Sequence, residues 1–318
     1  MPSHLFIEGF IPHSIIHATA DKTTNEKLYI SHNLEFYDTL ELNTIIWIQS
    51  LPKDEQGPST RIKDDLSALI NISKYKFIEK NVVTKDALLA LLNDIAKHAI
   101  LGCHPVLHFD MHGSKNDGLL LAPSGEHVSW AELANSMREI NIATHNNLCC
   151  IFATCHALNF VRSTEICKAT PFYLIIAPPK EVCIGFLEDQ TNSFYKSLID
   201  KENITTAHKE NLSKHMSLLG CQRILFIALN HYIKSHTRGK GAKDRRERLL
   251  TQHLDTTCVS NPTKNQLAEK RKLIKAFIKP NQNQIDSIAS TFLIGRPAGF
   301  TLEDIEAFMG ADISFGNH

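Results

Sequence analysis

Short apolar runs alternate with segments of helical period through the first two-thirds of the chain. Thr44-Ile45-Ile46-Trp47-Ile48-Gln49-Ser50-Leu51 is rich in β-branched and apolar residues and is stopped by Pro52, which predicts a strand. Thr60 to Ile72 reads as a helix, with Asp64 and Asp65 early and Leu66, Leu69 and Ile70 on one face. Tyr75 to Val83 alternates as a second strand. Thr84 can cap the next helix, where Leu88, Leu91, Leu92 and Ile95 recur at the i, i+3, i+4, i+7 spacing of a buried face. Pro105 to Met111 is a third strand and Gly118 to Gly125 a hairpin-like piece. Ser129-Trp130-Ala131-Glu132 is a capping box that opens a helix ending near Ile140.

Leu148 to Ala153 is apolar throughout, as a central parallel strand should be. Phe172 to Ala177 is a fifth strand, ended by Pro178-Pro179, and Asp189 to Leu198 is a helix with Phe194, Tyr195 and Leu198 inward. Met216 to Ile233 is interrupted by Gln222, Arg223 and Asn230, so it falls short of the roughly 18 unbroken apolar residues of a membrane helix and reads as a core helix. The pattern predicts an α/β fold of three layers, a mostly parallel central sheet flanked by helices on both faces. Ligands bind such sheets beyond the carboxyl ends of the strands.

After about Ser235 the composition turns basic, first over Thr237 to Arg248 and again over Lys264 to Lys279. The first stretch reads as a solvated loop and the second as a charged helix face; Thr301-Leu302-Glu303-Asp304-Ile305 looks like a further helix start. The expected organisation is one domain over residues 1–236, with a basic loop and a mainly helical extension over 237–318 packed on the same domain.

Charge narrows the partners. With 34 Lys and Arg against 34 Asp and Glu, the chain offers no net field for a polyanion, and nucleic acid is not the expected partner. The amino-terminal MPSHLFIEGF has no basic stretch followed by an apolar one and a cleavage site. The expected compartment is therefore the cytoplasm, where thiols stay reduced and the eight cysteines are free. No CxxC pair is present, so a structural zinc site is not expected. No GxGxxG follows the first strand and no GxxxxGK occurs, which disfavours a nucleotide enzyme; no cofactor or metal is expected.

The chemistry concentrates at two strand ends. The third strand closes in Leu107-His108-Phe109-Asp110-Met111-His112-Gly113, and the next apolar strand closes in Ile151-Phe152-Ala153-Thr154-Cys155-His156. If the two are neighbours in a parallel sheet, about 4.8 Å apart, His112 and Cys155 emerge at one edge. A thiol needs a nearby imidazole to become a thiolate, and the same imidazole can then protonate a leaving amine. Gly113 suits a close backbone approach, and its N–H together with that of Cys155 could bind a developing oxyanion. His156 and Asp110 are weaker candidates for a role at the same edge.

These residues sit in a longer pattern. Leu107-His108 and His112-Gly113, then Gly118 to Leu121, Ser129 to Leu133, Ala153-Thr154-Cys155 and the helical Asn192 to Leu198 together resemble the CHAT branch of the caspase-like cysteine peptidases, in the wider caspase, metacaspase and separase superfamily. The resemblance implies a caspase-like sandwich, a His112/Cys155 dyad and peptide-bond hydrolysis through a thioacyl enzyme. It further implies a protein substrate, with activation by a partner or by self-cleavage, for which the basic stretch Thr237 to Arg248 is an obvious place to nick. Bacterial proteins of this type resemble effectors of antiphage defence and programmed cell death that cut, for example, a gasdermin-like pore former. Metacaspase-like relatives carry an acidic residue two positions before the nucleophile that selects a basic P1 side chain; Ala153 stands there, so this position does not support Arg or Lys specificity. Lys180, Glu181 and Asp189, from the loop and helix after the fifth strand, are the other candidates for contact with substrate. The alternative is a catalytically silent caspase-like module that binds a peptide at the same cleft.

Overall fold

The computed structural model describes residues 40–71, 73–257 and 261–314; the amino-terminal MPSHLFIEGF and Cys258 lie outside them. In chain order the elements are β1 (Thr44–Ser50), α1 (Gln56–Ile70), β2 (Lys76–Asn81), α2 (Lys85–Ile100), β3 (Pro105–Ser114), β4 (Gly118–Leu121), β5 (Glu126–Val128), α3 (Trp130–Ala143), β6 (Cys149–Ala153), β7 (Leu174–Ala177), α4 (Ile184–Lys201), α5 (Ile204–Ala207), β8 (Ser217–Gly220), α6 (Cys221–His236), α7 (Gly239–Thr256), α8 (Lys264–Phe277), α9 (Gln282–Phe292) and α10 (Leu302–Ser314). A 3-10 turn, Lys53–Glu55, leads into α1. No helix among the described residues is long and apolar enough to cross a membrane.

The chain divides into two compact units, one of residues 40–223 with 292–296, the other of 224–291 with 297–314. The first unit is α/β. Its sheet runs β2-β1-β3-β6-β7-β8, with β1, β2, β3, β6 and β7 parallel and β8 antiparallel at the edge; β4 and β5 extend β3 as an antiparallel flap. Chain direction across the sheet reverses between β1 and β3, because the chain steps outward from β1 to β2 and then crosses back.

Both faces are covered. On one, Trp47 stacks on His108 at 3.7 Å and His108 bonds the Tyr195 hydroxyl of α4 at 2.9 Å. On the other, Phe109 stacks on Phe152, which meets Trp130 of α3 edge-on. α1 packs on α4 and α2 on α3. Burying each of these large side chains contributes about 2–3 kcal/mol, which is why β6 can be apolar at every position. Helix starts follow local chemistry. The Thr84 hydroxyl caps α2 by accepting from the Ala87 N–H, and Ser129 and Glu132 form the reciprocal box that opens α3.

Two expectations change. The stretch from Met216 to Ile233 is not one helix: Ser217–Gly220 is the antiparallel edge strand, and the helix begins at Cys221. A four-residue strand leaves too short a period-2 signal to be separated from the helical run behind it. The basic stretch Thr237 to Arg248, expected as a loop, is helical from Gly239 onward. Lys, Arg, Glu and Ala are good helix formers, and exposure alone does not make a loop. In the second unit α7 packs on α8, Arg271 pairs with Glu247 at 2.9 Å, and the buried Arg245 lays its guanidinium over the Tyr232 ring at 4.9 Å.

Candidate functional site

At the carboxyl edge of the sheet, where its direction reverses, lies a cavity of about 340 Å³. The reversal opens it: connections leaving β1 and β3 diverge to opposite sides of the sheet, so no chain fills the space above their ends. Asp54, Glu55 and Pro58 reach it from the segment after β1, Asp110, Met111 and His112 from β3, and Ala153 and Cys155 from the end of β6.

β3 and β6 are neighbours, with Asp110 paired to Ala153 in register. His112 and Cys155 stand two residues beyond that pair on their own chains, and both line the cavity. Backbone approach between the two strand ends is close enough to demand glycine. A Cβ on Gly113 would lie 2.5 Å from the Cys155 carbonyl oxygen and would overlap the Thr154 methyl group. Any larger residue at 113 must push β3 and β6 apart.

The imidazole of His112 is oriented from outside the sheet. Glu55, in the turn after β1, brings a carboxylate oxygen to 2.7 Å from His112 Nε2. Nothing in Lys53-Asp54-Glu55 marks this residue in the sequence; only the parallel pairing of β1 with β3 brings the two together. A carboxylate at Nε2 holds the proton there, so the tautomer it favours leaves Nδ1 as the basic nitrogen.

Among the cysteines Cys155 stands apart by position. Cys149, Cys150 and Cys221 are buried, and burial pushes their thiols up, to about 12 for Cys221, so they persist as neutral packing groups. Cys155 is half-buried in the cavity wall, with Sγ 3.8 Å from the Val182 carbonyl oxygen. Cys103 is half-buried elsewhere, and Cys167 and Cys183 are exposed and do not line the cavity.

Other candidates divide. Asp110 lines the cavity, is 4% exposed, and accepts hydrogen bonds from Trp47 Nε1 at 3.1 Å and Gln49 Nε2 at 3.3 Å. Burial pushes its carboxyl upward, opposed by those hydrogen bonds and by Lys63. His156 does not continue the strand: it turns into the left-handed region, at φ 59°, and its N–H donates to the Lys180 carbonyl at 2.9 Å. Lys180, Glu181 and Asp189 are not among the residues lining the cavity. That loop and helix contribute apolar walls instead, through Val182, Ile184 and Leu187. Among the described residues no group of three or more His, Cys, Asp or Glu side chains is arranged to hold a metal ion.

No family model and no curated protein matches the chain.

Proposed function

We propose that the chain is a cysteine peptidase of the caspase-like type, with Cys155 as nucleophile, His112 as acid and base, and Glu55 orienting the imidazole. The observation that carries this reading is the shared cavity: it is lined both by a thiol and by a carboxylate-paired imidazole from the ends of two paired strands, where Gly113 packs against the Cys155 backbone. The motif resemblance from Leu107 to Leu198 supports it independently of that geometry.

The chemistry follows from these groups. His112 takes the Cys155 proton, and the thiolate attacks the scissile carbonyl carbon, forming a C–S bond and an oxyanion. The backbone N–H groups of Gly113 and Cys155 are the donors in this reading for that oxygen; losing one such donor costs about 3–4 kcal/mol. The C–N bond then breaks as His112 returns its proton to the leaving amine, giving a thioester. Water enters, gives a proton to His112 and attacks the thioester carbonyl; the C–S bond breaks and the thiolate takes the proton back. Glu55 stabilises the imidazolium formed in each half-reaction and keeps Nε2 from competing as the base.

By resemblance, the substrate is a protein partner and the setting is bacterial defence or programmed cell death, for example release of a gasdermin-like pore former; fold analogy supplies that role and the site supplies only the reaction. The decisive test is labelling with a peptidyl acyloxymethyl ketone together with turnover of a mixed-peptide library, for wild type, Cys155→Ala and His112→Ala. The reading expects labelling and cleavage in wild type and loss of both in either variant. Wild type without labelling or turnover, or labelling that survives Cys155→Ala, would overturn it in favour of a silent binding module.

A further inference from the structure

We propose that α8 docks the second unit on an anionic lipid surface, with Leu273 and Phe277 entering the headgroup layer and a fringe of lysines meeting the lipid phosphates and carboxylates. The helix lies along the bilayer and does not cross it. From Lys264 to Lys279 the segment carries six cations and one acid, Glu269. Its apolar positions divide between two sides. Arg271, Ile274 and Ile278 recur on one of them, where Arg271 pairs with Glu247 of α7 and Ile278, just past the helix end, is buried. Leu273 and Phe277 stand one turn apart on another side and are 55% and 40% exposed. No residue within α8 is buried.

The cations around the exposed pair are not consumed by the fold. Glu247 takes both Arg246 and Arg271, whereas Lys270, Lys272, Lys275 and Lys279 form no salt bridge with the described residues. At about 3.6 residues per turn, Lys270 falls on one side of Leu273 and Phe277, and Lys272 and Lys279 fall on the other. An apolar strip edged by lysines is the pattern of a helix that rests in a membrane interface. The zero net charge of the whole chain does not oppose it, because charges beyond about 8–10 Å are screened and these lysines are local to one helix.

The chemistry favours lipid over an acidic protein. Two large apolar anchors are too few for the dry centre of a stable protein interface, which buries about 800 Å² on each partner. On a bilayer they need only reach the headgroup boundary, and each lysine adds its own attraction to the anionic surface without a matched partner group. Lysine suits that task as a point charge on a flexible stem, which can reach a phosphate while the helix axis stays level.

The test is flotation of the full chain with vesicles of phosphatidylcholine alone or with about one-third phosphatidylserine. Affinity for the anionic vesicles should exceed that for the neutral ones by at least about 10-fold and should fall steeply as salt rises. Leu273→Ser combined with Phe277→Ser should weaken binding about 10- to 100-fold. Lys270→Gln, Lys272→Gln and Lys279→Gln together should weaken it at least about 10-fold. Both variants should keep a thermal midpoint near that of wild type, since α8 contains no buried residue. Cys155→Ala should bind as wild type does, because the docking is independent of the peptidase reading. Equal binding to both vesicles, binding to neither, or affinity indifferent to Leu273 and Phe277 would overturn the lipid assignment. Lysine-dependent retention on soluble polyglutamate, with no vesicle binding, would overturn it in favour of an acidic protein partner.

Discussion

The two rims of the central sheet make an instructive contrast. At the amino ends of the strands a cavity of about 660 Å³, nearly twice the volume of the one beside Cys155, is lined by Asn43, Tyr75, His104 and Tyr173 among others. Several polar groups around it are paired with one another: Lys74 holds Glu202 at 2.6 Å, the Asn43 side chain bridges the Gly102 carbonyl and the His104 N–H, and Asn147 bonds the Glu41 carbonyl at 2.7 Å. Those contacts stitch the loops entering the sheet. At the carboxyl rim the smaller cavity is lined by a thiol, an imidazole paired with a carboxylate, and two further acidic residues. Size and chemistry thus point to different ends of the sheet: the larger cavity lies at one, the topological switch with its thiol, imidazole and carboxylates at the other.

The contrast can be broken most directly at the nucleophile. Cys155→Ala should lower turnover by at least about 1,000-fold while leaving the thermal midpoint near that of wild type, since it removes one half-buried sulfur atom at a strand end; a large fall in the midpoint would recast Cys155 as packing. Gly113→Ala should follow, losing about 100-fold in turnover through displacement of the strand ends and about 1–3 kcal/mol in stability, measured by denaturant titration alongside peptide cleavage. Here both quantities must move together, because the same overlap with Cys155 and Thr154 causes both.

Glu55 should give a smaller and cleaner effect. Glu55→Ala is expected to reduce kcat about 10- to 100-fold with little change in KM. Glu55→Gln should recover part of the loss in kcat for the same peptide, because its amide oxygen can still accept from His112 Nε2. A KM effect without a kcat effect would assign Glu55 to substrate binding instead of to His112.

Away from the rim, His108 offers a test of the core. Burial lowers its pKa to about 3, so the folded chain holds it neutral while the unfolded chain binds a proton below the ordinary histidine range. Unfolding therefore gains protons between about pH 6.5 and 3, and stability falls on acidification through that window. At pH 5 the expected loss from this group is about 2 kcal/mol relative to pH 7, and His108→Phe, which keeps a ring against Trp47, should remove that part of the pH dependence in paired denaturation curves. Smallest of all, Lys74→Ala or Glu202→Ala at the amino rim should leave peptide turnover unchanged; a loss there would mean that the larger cavity communicates with the chemistry.

Much of the site is legible in the order of residues along the chain. His112-Gly113 and Cys155 stand out because each closes an apolar strand, and β-strand periodicity puts Asp110 on the side of His112. Glu55 is not legible in that way, since it lies 57 residues from its partner in an unremarkable charged turn. Lys180, Glu181 and Asp189 draw attention by charge, yet the fold brings the apolar Val182, Ile184 and Leu187 to the cavity in their place. A loop's charged residues seek water unless something buried offers them a partner, and the sheet edge offers none here.

By itself the chain order of apolar runs and caps determined an α/β sandwich, its parallel centre and the two strand ends that carry sulfur and imidazole, because local periodicity and capping act over a few residues and survive without context. Tertiary structure alone decided that β1 lies beside β3, that the short run after Met216 joins the sheet edge, and that the carboxylates of Glu55 and Asp110 converge on one cavity. Those outcomes depend on pairings between segments tens of residues apart, where no pattern in either segment records which neighbour the packing will choose.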